Sequence, residues 1–341
     1  MNWQQRLWQN PLARFGAIIL VLLYLAVCLA DWITPFSPNQ AAENGALLPP
    51  TQIYWRDRQG NFIGAHVYPT TQGAIDLETG NRSLVIDFSQ PSAIRIFHGR
   101  LYDTVGIGQL HLLGTDEQGR DQLTRLLHGG RISLFVGIIG TGISFTLGAI
   151  VGGISGYFGG WLDQLLMRLV EVLMSIPSIY LLIGLAAILP ERLSNSQRFL
   201  LIIGIISFVQ WAGLARVIRG QVMSIKQEPF VLTARSTGAS DWRIIWRHVL
   251  PQTASYLIIS ATLAIPGFTI AESVLSLIGL GIQPPDPSWG NMLSLATNTS
   301  IIVLQPWLVW SPALLLSLTV LCFNLLGDGL RDALDPKSFR I

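Results

Sequence analysis

The sequence predicts an all-α integral membrane protein with six transmembrane helices and one inserted region of mixed structure outside the membrane. Half of its 341 residues are hydrophobic and 12% are charged, whereas soluble chains carry about 25% charged residues. The mean hydropathy is +0.47. Apolar runs of the length that a bilayer requires recur along the chain. These runs are residues 15–30, 132–158, 165–189, 199–215, 253–270 and 307–326.

Charge and cysteine content exclude several classes of function. The net charge of +2 is too small to indicate a nucleic-acid partner, and the basic residues are spread over the loops. Cys28 and Cys322 both lie inside apolar runs. A disulfide framework is therefore not expected, and neither a metal site nor a cofactor is predicted in this chain.

Residues 1–33 are predicted to form a short cytoplasmic tail and the first transmembrane helix. Arg6 and Arg14 precede the apolar run, as they also would in a signal peptide. The segment before Cys28 resembles a lipoprotein cleavage site, but Val27 stands where a small residue is preferred. Because further spans follow, an uncleaved helix is the better interpretation.

Residues 34–131 differ in composition from the rest and are predicted to form an extracytoplasmic lobe. The region is rich in Pro, Gly, Asn, Asp and Gln, and no apolar run in it is long enough to span a bilayer. Short β-type runs occur at 52–55, 83–88 and 93–97. His111 and the acidic residues that follow it could suggest a metal site, but no second histidine stands at ligand spacing.

The second apolar run carries a small residue at every fourth position, continuing to Gly160 just beyond the run. Such a stripe lets another helix approach closely, which is a principal source of helix association in lipid. We therefore predict a helix-packing face made of Gly140, Ser144, Gly148, Gly152 and Gly156.

Two of the later apolar runs contain a proline in their interior. Pro177 is expected to kink the third span, since proline removes an intrahelical hydrogen bond and its ring displaces the preceding turn. Pro266 and Gly267 are expected to interrupt the fifth span. Glu272 follows near the far end of that span, either as a functional group in the membrane or just outside the hydrocarbon.

Residues 226–251 form a polar and basic interval between the fourth and fifth spans. Pro229 can open a short helix, Gly238 can end it in a left-handed conformation, and Ser240 or Asp241 can cap a second helix. Periodicity places one apolar stripe on that second helix, with two arginines on the opposite side. The stripe is Trp242, Ile245, Trp246 and Val249, and the arginines are Arg243 and Arg247. The pattern fits either a helix in the headgroup layer or a surface for a protein partner.

Basic residues give the orientation. Six spans place three segments on one side, while the connection 276–305 has no Lys or Arg. The three segments are the N-terminal tail, the basic loop 219–251 within the helical core 132–330, and the tail 331–341. By the positive-inside rule, the basic side and both termini are cytoplasmic. The lobe 34–131 then faces outward.

The sequence disfavours both catalysis by this chain and active transport driven by this chain alone. The chain has no Gly-x-x-x-x-Gly-Lys-Ser/Thr loop, so energy for active transport must come from a partner. A membrane-embedded hydrolase would need a base inside a span, yet no histidine lies in an apolar run. A secondary transporter, the alternative that works without an ATPase, needs charges near the midplane, and these are few.

Four stretches resemble the permease subunits of ATP-binding-cassette importers, in the dipeptide, oligopeptide and nickel branch. The loop 226–251 resembles their EAA loop at Ala234, Gly238, Leu250 and Pro251, and it departs from that pattern at Leu232, Thr233 and His248. The other stretches are Asn10–Ala13, LGTDEQGRD at 113–121 and QPPDPSWG at 283–290.

The resemblance implies a type I importer permease fold and a second-type permease subunit in a bacterial inner membrane. It implies a second, homologous permease, two cytoplasmic ATPases that carry ATP and Mg²⁺, and an extracytoplasmic solute-binding protein. The EAA loop of this family provides coupling helices that contact the ATPases. The implied coupling residues are Ala234, Gly238, Ala239, Asp241, Trp242, Arg243 and Pro251. The substrate, whether peptide or metal chelate, is not specified by the spans.

Overall fold

The computed structural model describes residues 3–75, 82–190 and 192–334. Helices dominate this part of the chain. In chain order the α-helices are α1 (Trp3–Gln9), α2 (Pro11–Cys28), α3 (Ala30–Ile33), α4 (Gln122–Phe158), α5 (Gly160–Ser175), α6 (Ser178–Ala187), α7 (Asn195–Ile225), α8 (Pro229–Ser236), α9 (Asp241–Ile244), α10 (Ala254–Leu277), α11 (Trp289–Leu293), α12 (Thr299–Leu304) and α13 (Pro306–Leu334). A π-helix (Ile245–Val249) and a 3₁₀ helix (Leu250–Thr253) join α9 to α10.

Several of these helices have the length and composition of membrane spans. Among the described residues, five helical stretches qualify, and the bent pair α5 and α6 makes a sixth if it counts as one span. The five are Pro11–Cys28, Gln122–Phe158, Asn195–Ile225, Asp241–Leu277 and Pro306–Leu334. Each of the six predicted apolar runs therefore corresponds to a helix or to this bent pair.

The third predicted span is broken at its proline, as expected. Helix α5 ends at Ser175, α6 begins at Ser178, and the two axes differ by 86°. Ile176 is extended, with φ −97° and ψ 126°, because the proline ring disfavours a helical conformation in the residue before it. Pro177 therefore separates two helices instead of bending one.

The predicted interruption of the fifth span is wrong. Helix α10 runs through Pro266 and Gly267 without a break. A proline inside a helix removes one backbone hydrogen bond, and a long apolar helix keeps its other bonds. Glu272 is fully buried and lies within α10, not beyond its end.

The chain divides into two compact units. One comprises residues 1–20, 134–275 and 319–341, and the other comprises residues 21–133 and 276–318. The first unit contains the loop between α7 and α10. Its core there consists of buried apolar side chains from α4, α7 and the loop. They are Tyr157, Leu214, Ile218, Val222, Val231, Ile244, Ile245, Val249 and Leu250.

The second unit contains the predicted strands. Six strands occur among the described residues: β1 (Tyr54–Arg56), β2 (Phe62–Val67), β3 (Thr70–Ile75), β4 (Arg82–Ile86), β5 (Ser92–Ile96) and β6 (Tyr102–Val105). Strands β1, β2, β5 and β6 form an antiparallel sheet in that order, and β3 pairs with β4. Val67, Tyr102 and Leu110 form a small core beside the sheet.

Two loop signatures meet within this second unit. Asp121, the last residue of LGTDEQGRD, caps α4 by accepting hydrogen bonds from the backbone N–H (2.7 Å) and the hydroxyl (2.6 Å) of Thr124. Arg125, one turn along, donates to the carbonyl oxygen of Pro285 at 3.0 Å. The buried indole of Trp289 donates to the carbonyl oxygen of Leu126 at 2.9 Å. The turn QPPDPSWG therefore packs against the first turns of α4.

Candidate functional site

The loop between α7 and α10 folds as two short helices joined by a sharp corner, which we call the elbow (residues 226–253). Pro229 occupies the first turn of α8, where its missing N–H costs no intrahelical hydrogen bond. Ser240 caps α9 by accepting a hydrogen bond from the Arg243 N–H at 3.4 Å. The predicted order of helix, glycine corner and helix is present.

Gly238 forms the corner through its backbone conformation. Its φ is +79°, which is in the left-handed region that residues with a side chain rarely adopt. A Cβ atom placed there would meet no atom within 4 Å. The site therefore requires glycine for its backbone angle and not for lack of space.

The predicted apolar stripe of the second helix is partly wrong. Ile245 and Val249 are buried, but Trp242 and Trp246 are about half exposed, and Ile244 is buried in their place. The buried positions still follow helical spacing, but they lie about one residue out of phase with the predicted stripe. The apolar cluster on α4 and α7 takes Ile244, Ile245 and Val249, and the tryptophans lie on the exposed side with the arginines.

The buried side of the elbow packs on α4 and α7. Val231 of α8 and Ile244 of α9 lie in the same apolar cluster as Val222 near the end of α7. Ala234 and Ala239, on either side of the corner, pack against this cluster with small side chains. At about 25 cal/mol per Å² of buried apolar area, several such residues anchor both short helices. The buried side of the elbow and the ends of α4 and α7 therefore share one apolar core.

A polar contact links the elbow to the end of α4. The hydroxyl of Tyr157 donates to the Asp241 carboxylate at 2.7 Å. The Arg235 guanidinium lies 3.7 Å from that carboxylate and 5.9 Å from the centre of the Tyr157 ring. Arg235 and Asp241 are both substantially exposed, so their ion pair contributes little by itself. The tyrosine hydroxyl is the more specific connection because it joins α4 directly to α9.

We predict that Tyr157→Phe lowers the stability of this corner without changing its shape. Loss of one hydrogen bond to a half-exposed carboxylate costs about 1 kcal/mol, and the ring keeps its packing. The melting temperature of the purified protein should fall by about 2 °C. Tyr180→Phe, at an exposed tyrosine of α6, is the matched control and should leave melting unchanged. Equal melting of both variants would contradict the role given to the hydroxyl.

Helix ends surrounding the elbow are held by charged side chains. Arg219 of α7 binds Asp163 of α5 through two hydrogen bonds of 2.5 and 2.6 Å, and the Ser155 hydroxyl of α4 donates to the same carboxylate. The Lys226 ammonium donates to the last carbonyl groups of α4, at 2.9 Å for Gly156. These contacts join the end of α4, the start of α5 and the last turns of α7 beside the elbow.

The exposed side of the elbow combines aromatic and basic side chains. We call it the elbow surface, and it consists of Phe230, Leu232, Arg235, Trp242, Arg243, Trp246 and Arg247. Tryptophan and arginine are the residue types most enriched at the energetic centres of protein interfaces. Of the residues predicted to couple, Trp242 and Arg243 lie on this surface, while Ala234 and Ala239 face the core. Pro251 lies in the 3₁₀ helix that leads into α10.

The predicted small-residue stripe of α4 lies against neighbouring helices. A Cβ atom at Gly148 would come within 3.0 Å of the Trp211 carbonyl oxygen of α7, and one at Gly156 within 2.6 Å of that of Arg219. At Gly152 it would overlap the carbonyl oxygen of Ala215. Gly140 instead meets the ring of Phe268 in α10, and its carbonyl accepts a hydrogen bond from Ser207. Ser144, between these contacts, is buried.

His111 and Asp31 of the second unit are both held by hydrogen bonds to neighbouring side chains. His111 is buried and bonds through Nδ1 to Asp121 at 2.9 Å, and through Nε2 to Gln109 at 3.2 Å. Asp31 accepts hydrogen bonds from Arg131 (2.7 Å) and His128 (3.0 Å), which hold the pKa of that carboxyl below its usual range. In the described ranges no three His, Cys, Asp or Glu residues are arranged to hold a metal ion.

Two family models match separate parts of this chain. The family model for the binding-protein-dependent transport system inner membrane component matches residues 145–340, and that for the N-terminal TM domain of oligopeptide transport permease C matches residues 2–50. The oligopeptide transport system permease protein OppC of Haemophilus influenzae is 45% identical over 338 residues, covering 98% of this chain and 88% of that protein. The dipeptide transport system permease protein DppC of Bacillus subtilis is 44% identical, covering 67% of this chain and 69% of that protein.

Among solved structures, a chain of the inward-facing MetNI methionine ABC transporter covers 62% of this chain at 19% identity, with 97% of its own length aligned and a TM-score of 0.48. The predicted family and the helical membrane fold with an inserted sheet region are confirmed by the family models and the helices. The family is a transport component of the inner membrane and not a catalytic enzyme. With its larger family match spanning more than half of the sequence, the chain belongs to the binding-protein-dependent inner membrane components, the permease subunits of ABC importers.

Proposed function

We propose that this chain forms half of the translocation pathway of an ATP-driven peptide importer and is coupled to its ATPases through the elbow. The partners would be a homologous permease, two cytoplasmic ATP-binding subunits that hold ATP and Mg²⁺, and an extracytoplasmic solute-binding protein. Support for peptides as substrates comes from relatives named as oligopeptide and dipeptide permeases. The excess of basic residues in the tails and the elbow supports cytoplasmic termini.

The observation that carries the proposal is the two-sided construction of the elbow. One side is buried on α4 and α7 through residues such as Val231 and Ile244, and the other presents the exposed aromatic and basic elbow surface. A helix that only lay in the headgroup layer would also present its tryptophans outward, but it would not need a left-handed glycine corner. A partner groove explains both features.

The contacts indicate how force on the elbow would reach the spans. A push on Trp242 and Trp246 acts on a segment that continues through the π-helix and the 3₁₀ helix into α10. The same segment is tied to α4 by the Tyr157–Asp241 hydrogen bond and follows directly after α7. Closure of the ATPases would then tilt these three helices together and switch the translocation pathway between inward-open and outward-open states.

The first test is purification of the tagged chain from native membranes in mild detergent, followed by identification of the bound proteins. Recovery of a nucleotide-binding ATPase and a second permease is the expected result. Recovery of the chain alone, as an oligomer that transports after reconstitution, would overturn the proposal. It would favour a secondary transporter that works without an ATPase.

We predict that the double substitution Trp242→Glu and Trp246→Glu separates the permease from its ATPases. Two acidic side chains would replace the exposed aromatic contacts on the elbow surface, and interface tryptophans commonly contribute 2 kcal/mol or more, roughly a 30-fold loss in affinity for each. The ATPase recovered with the tagged chain should fall accordingly. Trp161→Glu, at an exposed tryptophan of α5, is the control and should retain it. Equal recovery from both variants would place the ATPase contact elsewhere.

A further inference from the structure

A cavity lies between α4, α7 and α10 in the first compact unit. Its volume is about 330 Å³, enough for a few amino-acid side chains or several waters. Half of its twelve lining residues are apolar, two are the glycines Gly213 and Gly267, and four carry a polar side chain, namely Ser144, Gln210, Tyr256 and Ser260. We call it the mid-span groove. Gln210 stands at the midpoint of α7, and Gly267 lies near the middle of α10.

Ser144 gives the first indication of an occupant. Its side chain is 1% exposed, and in the part of the chain that the structure describes its hydroxyl has no hydrogen-bond partner. A buried hydroxyl without a partner costs roughly 1–3 kcal/mol, so such a group normally meets water or a bound molecule. The cavity that Ser144 lines provides that place.

The glycines give the second indication. A Cβ atom at Gly213 or at Gly267 would meet no atom within 4 Å, so neither glycine serves close helix packing. This contrasts with Gly152 in α4, where a Cβ would overlap a backbone carbonyl. The two open glycines keep the groove wide at the level of the Gln210 amide, within helices long and apolar enough to cross a membrane.

We propose that the mid-span groove is a solute-contact surface of the translocation pathway and binds uncharged hydrogen-bonding groups, namely the main-chain amides of peptides. Its lining contains no Asp, Glu, Lys, Arg or His. Amide and hydroxyl side chains such as Gln210 and Ser144 can pair with a peptide backbone and do not select a charged side chain. The inference rests on the proposed function and names the part of the chain that the substrate touches.

Filling the groove tests its role in transport. Gly213→Leu and Gly267→Leu should abolish ATP-dependent uptake of a tryptic digest of casein by the reconstituted complex, while the ATPases still copurify. Gly204→Leu is the control, because Gly204 has equally open space on α7 but lies nine residues from Gly213, on the opposite face. Uptake by both groove variants at the control rate would overturn the inference. A wild-type complex that takes up no peptide would instead contradict the proposed function.

Thiol labelling tests whether the groove is open to water and to peptides. With Cys28 and Cys322 replaced by alanine, single cysteines at Gly213 and Ser260 should react with a charged, membrane-impermeant thiosulfonate, and the casein digest should slow the reaction. A cysteine at Gly204 should not be protected. Reaction only with a membrane-permeant maleimide would indicate a lipid-filled groove and overturn the inference. So would unchanged labelling in the presence of peptides that the wild-type complex takes up.

Discussion

Gly238→Val is expected to leave the protein in the membrane and to abolish most of its transport. Gly238 holds φ at +79°, and a β-branched residue is strained there by about 1–2 kcal/mol or more. Free energies of this size change a conformational population by roughly 5–30-fold. Because the apolar anchors of the elbow are untouched, the chain should fold while its corner adopts a different angle. Uptake and ATP hydrolysis by the reconstituted complex measure the two consequences separately.

Two controls separate backbone strain from the added side chain. Gly238→Asn places a larger side chain at the same corner, but asparagine tolerates the left-handed region and should retain much of the uptake. Gly220→Val adds the same side chain near the end of α7, where there is open space around the glycine. Normal uptake by Gly238→Val, or equal loss with Gly238→Asn, would contradict the requirement for a left-handed corner.

Gly152→Leu is expected to have the largest effect on stability. Any side chain at Gly152 would overlap the Ala215 carbonyl oxygen and approach the Ile218 Cβ to 2.9 Å, so α4 and α7 would have to separate. Overpacking in a tight core costs about 1–3 kcal/mol, and a collision with rigid backbone lies at the upper end or beyond. We expect the variant to be degraded in cells and to give little folded protein by size-exclusion chromatography.

The matched control for this variant is Gly142→Leu on the same helix. Gly142 is exposed, and a Cβ there would meet no atom within 4 Å. The two variants have the same change in hydrophobicity and in helix propensity, so a difference between them reports packing alone. Wild-type yields from Gly152→Leu would show that the small-residue stripe does not set the distance between α4 and α7.

Local signals in the sequence predicted most of the elbow. A proline at the first turn, a serine cap and a glycine corner act over a few neighbouring residues, and each stands where expected. The errors arose where packing against other helices, or the length of the helix, outweighs the local signal. The buried face of the second helix is set by the apolar cluster on α4 and α7, which takes Ile244, Ile245 and Val249 instead of the tryptophans, and the long helix around Pro266 tolerates one missing hydrogen bond.

Contacts between distant segments could not be predicted in the same way. The signatures at 113–121 and 283–290 were recognisable by resemblance, but their chemistry was not, because it lies in pairs such as Arg125 with Pro285 and Trp289 with Leu126. The mid-span groove likewise needs three helices to be placed before its lining exists. No periodicity within α10 alone distinguishes Gly267 from a packing glycine.

The π-helix at Ile245–Val249 has a further consequence, which concerns rotational phase. Each residue of an α-helix turns the chain by about 100°, and a turn closed by i→i+5 bonds advances less per residue. This wide turn and the 3₁₀ turn at Leu250–Thr253, which advances more per residue, together set the angle between the direction in which Trp242 points and the direction in which Ser260 faces. Rewinding either turn to a regular α-helix would rotate α10 about its own axis relative to α9. The elbow surface and the mid-span groove therefore lie on one helical segment, separated by two turns that are not α-helical.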